Sequence, residues 1–410
     1  MTATSTNSFV SHLEGAIDGE HLPPQIVHTL HNERPIWVRY DLEAVSSSIT
    51  KQDLLSRPPT IWRYAELLPA YDPTKIVSLG EGMTPILPCP RLGAQMGLNN
   101  LNVKDESQLP TGSFKSRGMA LAITMANHFG IDSVALPTAG NAGGAAAAYA
   151  ARAGMQCYVF MPQDTPIINQ YEAAAAGARA FLVNGLINDC GQIVNAGKER
   201  MGWFDLSTLK EPYRIEGKKT MGLELAEQFN WNLPDAIFYP TGGGTGLIGM
   251  WKAFNELREM GWLESATMPR MISVQSTGCA PIVNAFQSGE KHATPIVNAQ
   301  TIARGIRVPG AVGDFMILDA IKQSGGVAVA VEEDSIKPWM LRATATEGIS
   351  ICPETGACFS AVEQCLADGT ISADDNIVVF NTGASQKYSE AIAQDLPLLD
   401  INQPIEWSTI

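Results

Sequence analysis

Pro110-Thr111-Gly112-Ser113-Phe114-Lys115-Ser116-Arg117-Gly118 sets one lysine among small, turn-forming residues at the point where a helical pattern begins. A structural lysine ordinarily sits on a solvated helix face among other charges. Here the neighbours of Lys115 are Gly, Ser and Phe, so a flat ligand could approach the amine. A lysine in the first helical turn also meets the positive end of the helix dipole, which disfavours an ammonium and lowers its pKa. An amine that is neutral part of the time can form a Schiff base.

Two further segments give this lysine a context. Ala135-Leu136-Pro137-Thr138-Ala139-Gly140-Asn141-Ala142-Gly143-Gly144 reads as an apolar strand, a small-residue turn carrying one amide, and the start of an alanine-rich helix running to Ala153. Ala236-Ile237-Phe238-Tyr239-Pro240-Thr241-Gly242-Gly243-Gly244-Thr245-Gly246 reads as strand, glycine loop and helix start. That arrangement offers backbone N–H groups and a helix N-terminus to a phosphate. Either glycine loop alone would equally suit a tight turn. Lysine, amide turn and phosphate loop in this order form a specific constellation.

Around these landmarks, strands alternate with helical patterns from Val77 onward. Strands are expected at Leu101–Lys104, Ser133–Leu136, Gln156–Met161 and Ala180–Val183, with helices at Phe114–His128, Asn141–Ala153 and Pro166–Gly177. A second set begins near Lys218, with strands at Ala236–Tyr239, Met271–Gln275, Gly326–Val331 and Asn376–Asn381 and helices such as Leu247–Met260 and Ser335–Glu347. This is the βαβ rhythm of parallel sheets covered on both faces, whose ligands bind at the carboxyl ends of strands. Residues up to about 75 lack the rhythm; Pro23-Pro24, Pro35, Pro58-Pro59 and Pro69 cut them into short pieces, expected to wrap on the body.

With 410 residues and 45% hydrophobic content the chain can bury a large core, and its length suggests two domains. A net charge of −14 with no basic run argues against a nucleic-acid partner. No apolar stretch reaches membrane-spanning length, and the start, Met1 to Val10, is polar without a basic n-region, so a cytoplasmic protein with no membrane contact is expected. Seven cysteines, an odd number without a C-x-x-C pair, read as reduced buried thiols. His28 and His31 have a ligand-like spacing, but no cysteine or acid pair completes a metal site, and none is expected.

The chain resembles the fold-type II enzymes that use pyridoxal phosphate (PLP), the tryptophan synthase β-like group, and within them the threonine synthases. The resemblance runs from Val77-Ser78-Leu79-Gly80-Glu81-Gly82-Met83-Thr84-Pro85 to Asn381-Thr382-Gly383, about three quarters of the chain. It includes Trp62 to Pro69 upstream, Pro212-Tyr213-Arg214-Ile215-Glu216-Gly217-Lys218-Lys219-Thr220, and Pro353-Glu354-Thr355-Gly356-Ala357. It implies an α/β architecture of two three-layer domains with the cofactor in the cleft between them. The domains would be residues 76–108 with 208–410 (large, PLP-binding) and 109–207 (small, mobile), with 1–75 as an extension on the body, and the enzyme would be a homodimer.

The resemblance also implies roles. Lys115 would hold PLP covalently and shuttle protons. Asn141 would donate to the ring hydroxyl O3′, or else stabilise its own turn. Gly242, Gly243, Gly244, Thr245 and Gly246 would bind the phosphate. Thr382 would face the pyridine nitrogen; its plainer alternative is a strand-end hydroxyl bonded to backbone. Thr138, Gly140, Ser207, Thr208 and Arg214 would meet the amino-acid substrate. Arg214 suits a substrate phosphate through a bidentate guanidinium, against a surface ion pair with Glu211 or Glu216.

Departures from the family bear on the substrate. Threonine synthases commonly carry Ser-Thr-Gly-Asn at the amide turn, where this chain has Thr138-Ala139-Gly140-Asn141, one hydroxyl fewer. Their phosphate loop often contains asparagines, whereas Thr241 to Gly246 has none. The expected reaction is O-phospho-L-homoserine plus water to L-threonine plus phosphate. The alternatives are a serine/threonine ammonia-lyase or β-replacement enzyme, and, in another class, a non-catalytic small-molecule or nucleotide-binding protein using the glycine loops alone.

Overall fold

The computed structural model describes residues 8–409; the polar start of the chain, residues 1–7, lies outside the described residues. Among the described residues, thirteen strands form three sheets. In chain order they are β1 (Val10–Gly15), β2 (His21–Leu22), β3 (Ile36–Tyr40), β4 (Ile86–Pro88), β5 (Asn100–Asp105), β6 (Ser133–Pro137) and β7 (Gln156–Pro162). Then come β8 (Arg179–Val183), β9 (Phe204–Asp205), β10 (Ala236–Pro240), β11 (Arg270–Ser276), β12 (Ala328–Val331) and β13 (Asn376–Asn381).

The larger sheet has the order β12-β11-β10-β13-β5-β4, parallel except for the antiparallel edge strand β4. The smaller sheet, β8-β7-β6-β9, is parallel throughout. Their central strands are apolar runs with no polar face: Ile237, Phe238, Ile377, Val378 and Val379 are fully buried in one, Val134, Ala135 and Val159 in the other. Helices cover both faces, so alternation would serve no purpose.

The helices at Lys115–His128 and Tyr213–Gln228 run against each other at the centre. Gly217 permits the approach, since a Cβ there would lie 2.2 Å from the Arg117 carbonyl oxygen. Beneath this crossing lies a dry ionic cluster. Arg117 donates from Nε to Glu106 at 2.6 Å, from Nη2 to Glu224 at 2.7 Å and from Nη1 to Thr220 at 3.0 Å. Lys104 adds donations to Thr84 O at 2.7 Å, Gln228 at 2.7 Å and Glu224 at 3.1 Å. Despite burial, the two cations hold the Glu224 carboxyl down to about 2. Every charge here has a partner, which is the condition for tolerating it without water.

The segment before β4 is more regular than its sequence suggested. It contains the antiparallel sheet β2-β1-β3 and the helices Leu42–Ser48 and Lys51–Leu54. The strands are too short and irregular to show period-two patterning, and tertiary contact stabilises them. Val45, Leu54, Tyr64 and Leu67 bury against Leu223, Ala226, Ala253 and Leu257 of the body. Tyr40 at the end of β3 donates to Glu216 at 2.7 Å.

Candidate active site

The sequence-marked residues converge because each follows a parallel strand at its carboxyl end. Asn141 follows β6, the glycine loop follows β10 and Thr382 follows β13. Lys115 opens the helix after the turn that leaves β5. A cavity of about 210 Å³ is lined by Lys115, Thr138, Gly140, Asn141, Thr208, Arg214, Gly242 to Gly246 and Thr382. Of the residues singled out, Ser207 stands apart: its hydroxyl and backbone N–H are both taken by Asp205, and it does not line the cavity.

Lys115 is half-buried, and the protein atoms around its amine strip away most bulk water. Among the described residues its amine makes no hydrogen bond and no ion pair; it lies 4.0 Å from the centre of the Phe114 ring. Desolvation lowers its pKa to about 7, helped by the Arg214 charge and opposed by Glu354. Burial, rather than the helix end, is thus the largest cause. Lys218, whose Nζ lies 4.1 Å from the same ring centre, is held well below its ordinary value by burial and by the charge of Lys115. It donates to the Phe114 carbonyl.

Arg214 is buried, and Nη1 donates to Leu206 O at 2.7 Å and to Thr208 Oγ1 at 3.3 Å. It forms no ion pair with Glu211 or Glu216: Glu211 accepts from the backbone N–H groups of Tyr213 and Arg214, and Glu216 bonds Tyr40, Lys219 and Lys252. Its Nε is buried with no hydrogen-bond partner among the described residues. An unpaired buried guanidinium donor beside a cavity calls for an anion.

The loop after β10 turns through Gly244, at φ +76°, where a Cβ would meet the Ile317 side chain at 2.3 Å. Thr245 then begins the helix Thr245–Glu259, so that first-turn N–H groups face the cavity wall. Asn141 precedes the helix Ala142–Ala153 yet makes no capping bond to it. Thr138 Oγ1 is engaged with the backbone of Gly140 within the turn. Thr382 lies 3.7 Å from Cys352 Sγ, while its carbonyl accepts from Phe114 N.

The sequence reading passed over several residues on the same wall. Asn169, Arg304, Arg307, Glu354 and Tyr388 also line the cavity. Glu354 accepts from Gly305 N at 2.6 Å through one oxygen, and its other oxygen is buried without a partner. Arg304 and Arg307 share the carboxylate of Asp164 at 3.3 and 3.1 Å. Glu354 alone had a signal, inside the glycine-rich stretch; Asn169 sits in the helix Ile167–Ala175 with nothing to single it out, and the others come from short or irregular segments with no periodicity to read. Away from the cavity, His28 turns to Pro23 O, while Asp18 and Glu20 flank His31 at 3.0 and 3.3 Å, so the two histidines do not converge but, against expectation, an acid pair stands beside one of them.

The donor set fits PLP. A partner-free amine can take up its aldehyde, the helix start and glycine loop suit its phosphate, and Asn141 and Thr382 offer an amide and a hydroxyl to its ring. Comparison with known proteins agrees with this fit. The family described as "PALP: Pyridoxal-phosphate dependent enzyme" matches residues 77–383. The threonine synthase of Methanocaldococcus jannaschii is 34% identical over 369 residues, 90% of each chain. That of Methanosarcina acetivorans is 33% identical, covering 84% of each. Among solved structures, a processed threonine deaminase isoform 2 from Solanum lycopersicum has a TM-score of 0.65 at 21% identity, covering 82% of this chain and 96% of that one. Maize serine racemase has a TM-score of 0.64 at 20% identity, covering 74% and 88%. These last two speak to the fold alone. The chain belongs to the pyridoxal-phosphate-dependent enzymes and, within them, to the threonine synthase family.

Proposed function

We propose that the chain converts O-phospho-L-homoserine and water into L-threonine and phosphate at this cavity. The observation that carries the reading is Arg214, a buried guanidinium with an unpartnered Nε on the wall that also holds Lys115. A substrate with an uncharged side chain would offer it no phosphate to hold. Its threonine synthase relatives support the same reading.

PLP, when bound, supplies an electron sink that acidifies the hydrogens of the attached amino acid. The chain does the rest. Lys115 would hold the cofactor and serve as the base that takes the proton from Cα and then from Cβ of the substrate. A pKa near 7 leaves a useful fraction of it neutral at neutral pH. Arg214, with Thr208 beside it, holds the substrate phosphate and then the departing ion at Cγ. Thr138 and Gly140 form the stretch of cavity wall against which the substrate would lie. Water adds at Cβ. Gly242, Gly243, Gly244, Thr245 and Gly246 would hold the cofactor phosphate and Asn141 its O3′. Thr382 would give the pyridine nitrogen a hydroxyl rather than a carboxylate. That favours elimination and replacement over transamination.

The same reading makes residues 109–207 a small domain that closes over residues 76–108 and 208–410. The enzyme would be a cytoplasmic homodimer, with seven buried free thiols in keeping with a reducing compartment. Ala139, on the cavity wall where the family usually has a hydroxyl, favours a serine/threonine ammonia-lyase as the second reading.

Steady-state activity on O-phosphohomoserine beside serine and threonine tests the choice, with products assayed as threonine and phosphate or as ketoacid and ammonia. Arg214→Ala is expected to cut efficiency on O-phosphohomoserine by tens-fold to thousands-fold, since truncating one partner of a buried charge contact costs roughly 2–5 kcal/mol. Deamination of serine should scarcely change. If wild type ignores O-phosphohomoserine, the ammonia-lyase reading replaces this one.

A further inference from the structure

Asn141 is held from both ends by residues outside the motif that contains it. Its Oδ1 accepts from Asn169 Nδ2 at 2.9 Å, and its Nδ2 donates to the hydroxyl of Tyr388 at 3.1 Å. Asn169 is 3% exposed and Tyr388 6%, so water does not compete freely for either bond. With no capping bond to its own helix, the amide takes its orientation entirely from these two neighbours. An amide nitrogen carries two hydrogens. Tyr388 uses one, which leaves the other for a ligand in the cavity that all three residues line.

Tyr388 arrives from the far side of the cleft. It follows β13 of the larger sheet, whereas Asn141 follows β6 of the smaller one. The adjacent Lys387 makes a parallel connection, donating to Glu172 at 2.6 Å and to Thr111 O at 2.9 Å. Burial, and next the Glu354 carboxylate beside it, push the Tyr388 phenol well above its ordinary value, so the hydroxyl keeps its proton and its lone pairs can accept from Asn141.

We propose that Tyr388 is a positioning residue for the cofactor: together with Asn169 it fixes the amide of Asn141 so that the second Nδ2 hydrogen is directed to the ring hydroxyl of PLP. The proposal rests on the reading of Asn141 as a cofactor ligand. A phenol that merely filled space would leave that amide held at its oxygen end alone, by Asn169, with its nitrogen end unanchored.

PLP affinity and the visible absorbance band of the loaded protein read this without reference to any substrate. Tyr388→Phe removes one oxygen and is expected to weaken PLP binding roughly three- to tenfold, the range of one neutral hydrogen bond, and to move the band. Asn169→Ala should act in the same direction from the other end of the amide. In an Asn141→Ala background the Tyr388→Phe effect should vanish, because Tyr388 has nothing left to orient. An undiminished effect in that background, or unchanged affinity and absorbance in Tyr388→Phe, overturns the proposal. If Asn141→Ala itself leaves PLP affinity unchanged, the cofactor reading of Asn141 fails and takes this one with it. Should Tyr388→Phe fail to fold by circular dichroism, Asn169→Ala and its cycle with Asn141→Ala decide in its place.

Discussion

Lys115 and Arg117 stand two residues apart on one helix, and the protein treats them oppositely. Arg117 is fully buried and saturated: Glu106 and Glu224 neutralise it, and Thr84 and Thr220 take further donations. Lys115 has neither hydrogen bond nor ion pair among the described residues, and its nearest listener is an aromatic ring. The difference separates two uses of a cation away from water. A paired charge specifies how elements pack; an unpaired one is kept at a cost in stability because a ligand will meet it. Arg214, with a buried Nε lacking a partner, falls on the side of Lys115.

The largest expected effect probes the unpaired side. Lys115→Ala should lower turnover by at least about a hundredfold to ten-thousandfold, the worth of positioned acid–base catalysis alone. It should not destabilise the cofactor-free protein. Borohydride reduction and peptide mapping of the wild type should find the pyridoxyl group on Lys115, and labelling elsewhere would break the contrast at its root.

Arg117→Met should do the reverse. Removing one member of a buried ion cluster leaves Glu106 without a cation and Glu224 with Lys104 alone, at about 3–5 kcal/mol. Denaturant titration should show that loss, whereas any fall in activity should track the unfolded fraction.

The contrast also has a pH signature. The folded pKa of Lys115 is lowered from 10.5 to about 7, so between those values the unfolded chain holds a proton that the folded one has lost. Stability from this group therefore rises with pH across that window, and its desolvation cost is fully present below about pH 7. Cofactor-free wild type should gain on Lys115→Met from pH 7 to 10, by a few kcal/mol at most at about 1.4 kcal/mol per unit. A flat difference between the two proteins would show that the amine is solvated.

A smaller effect is expected at Gly244. A valine there must adopt φ +76° and meet Ile317, so PLP affinity should fall by roughly tenfold for the 1–3 kcal/mol of a strained backbone position. The smallest is Tyr40→Phe, which removes one hydrogen bond to Glu216 and should cost about 1–2 kcal/mol in thermal or denaturant unfolding without touching PLP affinity.

Much of the alternating part of the fold was legible because buried parallel strands leave continuous apolar runs between turn signals. The strand expected at Met271–Gln275 is found at Arg270–Ser276, and the helix expected at Phe114–His128 at Lys115–His128. The sheet β2-β1-β3 was not legible, since two- to six-residue strands carry too few residues to establish a period. In the cavity, Lys115, Asn141 and the loop Gly242 to Gly246 announced themselves through glycine and turn chemistry. Tyr388, Asn169 and Arg304 are single residues in ordinary surroundings, and nothing local distinguishes them.

The pentapeptide Pro-Ile-Val-Asn-Ala occurs twice, and it marks the boundary between the two kinds of information. At Pro281 it opens a helix whose Ile282 and Val283 are buried. At Pro295 it is irregular, with Asn298 at φ +58° and Val297 exposed. Local sequence determined where the turns, glycine loops and apolar strands lie, because those depend on backbone sterics and on burial of contiguous side chains. The tertiary structure alone decided which of Lys115, Arg117, Arg214 and Lys218 would be neutralised, and which would face the cavity. A buried charge is settled by the partners that come within a few ångströms of it, and here those partners lie about ten to more than a hundred residues away along the chain.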